Sequence, residues 1–172
     1  MEKDIKKWIR DIPDFPEKGI LFRDITPALL DPVAFIKICD SLVERYEGWE
    51  IDKIAGIEAR GFFFASVLAY RLRKGMIPLR KPGKLPWKTV SRSYSLEYGE
   101  ATVEMHEDAV SEGERILLVD DLLATGGTAS AAAELIESRG GVIGEIAFVI
   151  ELSDLEGRAR LGGRPSFSLL TY

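Results

Sequence analysis

One cysteine, Cys39, and one histidine, His106, occur among 172 residues, so neither an intrachain disulfide nor a Cys/His zinc site can be built from this chain. No apolar run approaches the roughly 20 residues that a membrane-spanning helix needs. The N-terminus, Met-Glu-Lys-Asp-Ile-Lys-Lys-Trp, also lacks the apolar core of a secretion signal. Both absences point to a cytoplasmic protein with no membrane partner. An excess of positive charge is missing too: 23 Lys and Arg stand against 28 Asp and Glu, a net charge of −5. That balance argues against a nucleic-acid partner held on a broad basic face, though not against a local basic patch. There is no Gly-x-x-x-x-Gly-Lys-Ser/Thr phosphate loop, no low-complexity segment and no repeat longer than a strand-helix unit. Cys39 lies in an apolar helical pattern and His106 at the end of a predicted strand, so both read as structural.

What is present is the composition of an ordinary globular domain, with 46% hydrophobic and 30% charged residues over a length suited to a single domain spanning 1–172. The densest information lies between Ile116 and Thr128. Ile116 to Val119 form a short apolar run of the kind that makes a strand buried on both faces, and Asp120 and Asp121 close it. Ala124, Thr125, Gly126, Gly127 and Thr128 then form a turn, followed by an Ala-rich predicted helix from Ala129 to Ser138 that stops at Gly140-Gly141. A Gly-rich turn opening a helix aims backbone N–H groups and the positive end of a helix dipole at one point, which suits a phosphate monoester. The paired carboxylates can accept hydrogen bonds from vicinal sugar hydroxyls or face a hydrated Mg²⁺. Phosphate and diol together describe ribose 5-phosphate. The competing reading is that the threonines cap a helix and the aspartates are a solvated strand end.

The rest of the chain supplies elements of the same kind. Glu2 to Arg10 carry Ile5, Trp8 and Ile9 at helical spacing, which predicts an amphipathic helix ending before Pro13. Residues 11–27, with three prolines and one glycine among Phe15, Ile20, Leu21, Phe22 and Ile25, predict an ordered loop. Asp31-Pro32 provides an N-cap and an N1 proline for a helix from Val33 to Tyr46. A predicted strand at Lys53 to Ile57 runs through Glu58-Ala59-Arg60-Gly61 into a helix from Phe62 to about Arg73, closed by Gly75. A strand from Met76 to Leu79 enters the basic segment Arg80-Lys81-Pro82-Gly83-Lys84-Leu85-Pro86. Segments 90–96 and 101–105 alternate well enough for a two-stranded ribbon, and Val142 to Leu152 predict another buried strand.

Val-Asp-Asp-Leu-Leu-Ala-Thr-Gly-Gly-Thr resembles the loop by which type I phosphoribosyltransferases bind 5-phosphoribosyl 1-diphosphate (PRPP), in the form typical of the adenine phosphoribosyltransferases. Four further stretches resemble the same family. Phe-Pro-Glu-Lys-Gly-Ile-Leu-Phe-Arg-Asp-Ile-Thr-Pro is similar to its hood over the base, and Glu-Ala-Arg-Gly to its pyrophosphate loop. Arg-Lys-Pro-Gly-Lys-Leu-Pro, running on to Ser93-Tyr94-Ser95-Leu96-Glu97-Tyr98-Gly99, is similar to the family's flexible loop. Glu151 to Arg158 is similar to its C-terminal element. The departures are peripheral: Trp87-Lys88 after the basic loop, and Phe63-Phe64-Ala65 where the family often has a glycine.

The resemblance implies an α/β fold, a mostly parallel twisted sheet flanked by helices, with a small N-terminal hood over about 1–30 and a flexible β-ribbon lid over about 82–105. It implies conversion of adenine and PRPP to AMP and pyrophosphate, with Mg²⁺ carried by PRPP and no protein ligand assigned to the metal. The residues implied are Asp120, Asp121, Ala124, Thr125, Gly126, Gly127 and Thr128 for the ribose phosphate, and Glu58, Ala59, Arg60, Gly61, Arg80, Lys81 and Lys84 for the pyrophosphate. Leu21, Phe22, Arg23, Ile25 and Leu152 are implied for adenine, and Tyr98 for the lid. Glu97, Arg60 and Arg80 are the implied catalytic groups, with Arg80 acting across a homodimer. Two rivals remain: a regulator that keeps the PRPP pocket without the chemistry, and a transferase for another base. The first should carry an added basic DNA-binding module, which this sequence does not show.

Overall fold

The computed structural model describes residues 2–95 and 100–172, with side chains from Asp4 onward. In chain order, helix α1 (Glu2–Lys6) leads to an antiparallel pair, β1 (Arg10–Pro13) with β2 (Leu21–Asp24), then to helices α2 (Thr26–Leu30) and α3 (Pro32–Tyr46). Strand β3 (Lys53–Ile57), helix α4 (Gly61–Leu72) and strand β4 (Gly75–Leu79) follow. Next come the antiparallel ribbon β5 (Thr89–Ser95) and β6 (Glu100–His106), strand β7 (Arg115–Leu123), helix α5 (Gly127–Glu137) and strand β8 (Val142–Glu151). Two 3-10 turns, Ser153–Leu155 and Gly157–Leu161, precede strand β9 (Ser166–Thr171).

The central sheet has the order β4-β3-β7-β8-β9, and every pairing within it is parallel. Along β7, Leu117 and Val119 join the core beneath α3 and α4, whereas Ile116 and Leu118 join the core beneath α5. A strand whose two faces are both covered needs no polar residue until it leaves the layers, which is why β7 is apolar up to Asp120. The first core gathers Ile38, Leu42, Tyr46, Phe64 and Leu68, and the second gathers Leu79, Met105, Ala132, Ile136 and Phe148. Removing one such large side chain costs about 2–5 kcal/mol.

Helix α3 starts as predicted, with Asp31 Oδ1 accepting from the N–H groups of Val33 and Ala34, both at 2.9 Å. It is held to β8 by a buried carboxylate. Glu145 is 6% exposed and accepts from Arg45 at 2.8 and 2.9 Å and from the Tyr46 hydroxyl at 2.7 Å. Cys39 is buried in the same helix, and burial pushes its thiol up to about 11, so it stays an inert protonated group at neutral pH.

Several elements differ from the sequence expectation. Helix α1 ends at Lys6 rather than Arg10, because Arg10 to Pro13 pair with Leu21 to Asp24 as strands. That pairing lies inside the stretch expected to be loop, which also gives rise to α2. Helix α4 is closed by Arg73 in the left-handed region at φ 55°, and Gly75 already belongs to β4. Strand β7 does not end in the carboxylates: it pairs with β8 as far as Leu123↔Glu151, so the two aspartates lie within the ladder. Strand β9 is an addition to the sequence expectation, since its Ser-Phe-Ser-Leu alternation is too short to separate from loop.

Candidate active site

The turns singled out after β3 and β7 meet where these strands run out of the sheet, because adjacent parallel strands bring their carboxyl-end turns side by side. From β3 comes the turn Glu58 to Arg60, from β7 the two aspartates and the turn Ala124 to Gly126, and from β4 the segment opening with Arg80. Gly61 makes the first two meet. A Cβ there would lie 2.7 Å from the Val119 carbonyl oxygen and 3.0 Å from Asp120 Oδ1, so only glycine lets the start of α4 rest against the end of β7.

Arg60 links three of the predicted groups. Its Nε lies 2.5 Å from Asp121 Oδ2, and its guanidinium stands 5.6 Å from the centre of the Phe22 ring, which itself meets Phe15 edge-on at 5.2 Å. The β1–β2 pair is thus joined to the β7 carboxylates through one arginine. Asp121 is 6% exposed and paired, whereas Asp120 has no ion pair among the described residues and accepts only from the Asp121 N–H, at 2.8 Å. Burial, and then the neighbouring Asp121 charge, push the Asp120 carboxyl well above the usual aspartate range.

The turn into α5 is built for close approach. Gly126 sits at φ 81°, and a Cβ on it would run into the Gly157 carbonyl oxygen. The helix carries no side-chain cap and no acid in its first turn, so its leading N–H groups are left to a ligand. Gly127 faces the ribbon: a Cβ there would meet Tyr94 Cδ2 at 3.3 Å, and Thr128 Oγ1 donates to the Tyr94 hydroxyl at 2.9 Å. Sequence reasoning did not single out Tyr94 for this contact, which depends on how the ribbon lies over the turn.

Arg80 is forked onto Glu58, with Nη2 to Oε1 at 2.9 Å and Nε to Oε2 at 3.3 Å, and its Nη1 donates to the Lys84 carbonyl at 3.0 Å. Glu58 accepts further from the Lys81 N–H at 2.9 Å, and the Arg80 contact foremost, then the Lys81 N–H, holds its carboxyl below the usual range. The Glu58–Ala59 peptide is cis. Backbone bonds between Arg80 and Glu104, at 2.9 and 2.7 Å, stitch this basic segment to β6. The side chains of Lys81 and Lys84 are exposed.

On the hood side, the Arg23 guanidinium pairs with Asp11 and lies 4.2 Å from the centre of the Tyr172 ring, so only its backbone is left to face a base. Leu21 is exposed and Phe22 half-buried. Ile25 is 2% exposed, and its carbonyl accepts from Ala28 and Leu29, which leaves its N–H as the polar group able to meet a ligand. Leu152 follows β8 and donates its N–H to the Leu123 carbonyl at 2.9 Å, beside the end of β7. Glu97 and Tyr98 lie outside the described residues. Among the described residues, no three His, Cys, Asp or Glu side chains cluster in a way that could hold a metal ion.

The phosphoribosyl transferase domain family matches residues 28–160. An adenine phosphoribosyltransferase from a Roseiflexus species is 53% identical over 172 residues, covering all of both chains. The crystal structure of adenine phosphoribosyltransferase from Thermoanaerobacter pseudethanolicus superposes with a TM-score of 0.96 at 52% identity, again over the whole of both chains. That of Saccharomyces cerevisiae, complexed with an imino-altritol bisphosphate and adenine, gives a TM-score of 0.92 at 40% identity, covering 98% of each chain.

Proposed function

The chain belongs to the phosphoribosyl transferase family, among its adenine phosphoribosyltransferases, and from that premise we propose that it serves purine salvage by converting adenine and PRPP to AMP and pyrophosphate. The observation that carries the reading is the meeting of three parts at one strand edge: an uncapped helix start for a phosphate, an aspartate pair for a ribose diol, and Arg60 beneath an aromatic hood. In this reading residues 1–172 form one domain, with the β1–β2 region as the hood and the β5–β6 ribbon as the lid.

The reaction breaks the bond from ribose C1 to the diphosphate oxygen and forms one from C1 to adenine N9, with positive charge growing on the sugar between the two events. Among the described residues of the site nothing is placed as a covalent nucleophile, so orientation and charge stabilisation dominate. Ala124 to Thr128 hold the 5′-phosphate, and Asp120 and Asp121 hold the ribose hydroxyls. Ala59, Arg60 and Gly61, with Lys81 and Lys84, receive the diphosphate. Mg²⁺ arrives with PRPP as part of the substrate and neutralises the departing diphosphate. The backbone of Leu21, Arg23 and Ile25 reads the edge of adenine, while Phe22 and Leu152 contact its faces. Glu97 takes the adenine proton as the new bond forms.

The same reading makes the working unit a homodimer. Phe63, 46% exposed, lines an apolar hollow with Leu29, Phe35, Phe62 and Ser66. Exposed apolar surface of that kind favours burial against a second copy. Arg80 then exchanges Glu58 for the diphosphate in the neighbouring subunit's site.

Assays with PRPP, Mg²⁺ and each of adenine, hypoxanthine, guanine and xanthine test the assignment. Adenine alone should be turned over efficiently, because a 6-oxo group presents an acceptor where adenine has a donor, and a mismatched buried pair costs about 1–3 kcal/mol. Comparable efficiency with hypoxanthine would overturn it.

A further inference from the structure

Arg158, Arg160 and Arg164 follow one another in the turns after β8, and two of them serve the fold. Arg158 forks onto Glu151 at 2.6 and 2.7 Å and reaches Ser166 at 2.9 Å, while Arg164 forks onto Glu137 at 2.6 and 2.8 Å and donates to the Leu161 carbonyl. The Arg160 side chain has no hydrogen bond or ion pair among the described residues. Arg160 is exposed, but the root of its side chain is closely placed. Its Cβ lies 3.3 Å from where a Cβ on Gly126 would be, so the side chain leaves the backbone directly against the tightest glycine of the α5 turn. It then lines a cavity of about 480 Å³ between the ribbon and α5, together with Arg92, Tyr94, Gly127, Ser130 and Glu134.

The charges around that cavity single out Arg160. The ribbon's Arg92 lies 2.5 Å from Glu134, and Glu134 also accepts from Ser130, so that acid and that base already satisfy each other. Arg60 and Arg80, the other arginines of the site, are each paired with a carboxylate. A phosphate monoester at the start of α5 brings about two negative charges near pH 7, and the turn Ala124 to Thr128 contains no cationic side chain. We propose that Arg160 is a further substrate-binding residue, whose guanidinium contacts the 5′-phosphate of PRPP and of AMP from the outer side of the α5 turn. This rests on the assignment of that turn to the 5′-phosphate. A fork of N–H donors fits two phosphate oxygens at once, and the contact forms without breaking a pair in the empty protein.

The test is binding of ribose 5-phosphate and of adenine, measured separately by calorimetry on wild type, Arg160→Gln and Arg160→Lys, alongside steady-state transfer. Arg160→Gln should weaken ribose 5-phosphate and raise KM for PRPP by about three- to tenfold, the range for one charge-assisted contact partly screened by solvent. Adenine affinity and melting temperature should not change, and Arg160→Lys should recover part of the loss. The Arg160→Gln penalty should also shrink as salt is raised. Unchanged ribose 5-phosphate affinity in Arg160→Gln, in a wild type that binds it and transfers, overturns the role of Arg160 alone. A drop in melting temperature with unchanged affinity does the same and leaves Arg160 a purely structural role. A wild type that binds no ribose 5-phosphate would overturn the underlying reading and this inference with it.

Discussion

The Thr128 hydroxyl donates to the Tyr94 hydroxyl at 2.9 Å, so the ribbon's tyrosine holds a group that the proposed reading gives to the 5′-phosphate. On that reading PRPP has to take Thr128 from Tyr94, and Tyr94→Phe removes that competition while leaving the ring against Gly127. KM for PRPP should fall by about two- to tenfold, the net value of one hydrogen bond. A higher KM in steady-state assays would mean instead that tyrosine and phosphate share the threonine.

The proposed ribose-binding role of Asp120 would couple binding to stability. Because the folded chain holds the Asp120 proton more tightly than the unfolded chain does, stability is lost as pH rises from the ordinary aspartate range through the raised folded value. Asp120→Asn should therefore melt at a higher temperature than wild type at pH 7, with the gain vanishing below about pH 4, where both states are protonated. If Asp120 holds a ribose hydroxyl as proposed, the variant's KM for PRPP should rise by roughly tenfold or more, as expected on replacing an accepting carboxyl oxygen with an amide group. Melting curves across pH check the first part, and equal melting temperatures at pH 7 would refute it.

The two glycines of the α5 turn should fail differently. Gly126→Ala combines a positive φ with backbone overlap at Gly157, a strain of about 2 kcal/mol that should lower the melting temperature by roughly 4–8 °C. Gly127→Val meets the movable Tyr94 ring at 3.3 Å and the Ser95 carbonyl oxygen only at ordinary contact distance, so its melting temperature should stay near wild type while transfer collapses if the phosphate approaches this turn as proposed. Calorimetry and PRPP titration of both variants separate the cases. Normal PRPP affinity in Gly127→Val would remove the turn from the site.

Glu97 lies outside the described residues, and its role is a proposal from the sequence. Loss of a general base typically slows a proton-transfer step by about 10²–10⁴-fold. Glu97→Gln should show that loss in single-turnover experiments with little change in adenine affinity, even where slow product release hides it from kcat. A normal single-turnover rate would make the carboxylate dispensable.

Arg80 forked onto its own Glu58 is the single-chain state, and the proposed dimer predicts a second one. Mixing Arg80→Ala subunits with Asp121→Ala subunits should restore one intact site per heterodimer, giving about a quarter of wild-type activity in a statistical mixture, where half the dimers are mixed. Arg80→Lys should not substitute, because an ammonium cannot reproduce the fork. No recovery in verified heterodimers would place Arg80 in its own subunit's site.

What the chain's text determined by itself was local and additive. Apolar runs at Lys53 to Ile57 and Val142 to Glu151, the Asp31-Pro32 cap and the glycine turn before α5 could all be read, because each depends on neighbours a few residues away. The family resemblance proposed groups for the site on the same basis, through contiguous motifs. Tertiary structure decided everything that needed two distant segments to meet. Arg10 to Pro13 became a strand because Leu21 to Asp24 offered an edge, against the helical spacing of Ile5 and Ile9. The aspartates stayed within the β7 ladder because β8 runs on to Glu151. Arg60 reached Asp121, Tyr94 reached Thr128, and Arg160 came to lie over Gly126, each across more than 30 residues of chain. A charged or hydroxyl side chain takes whichever partner the packed layers deliver, and no local pattern encodes that choice.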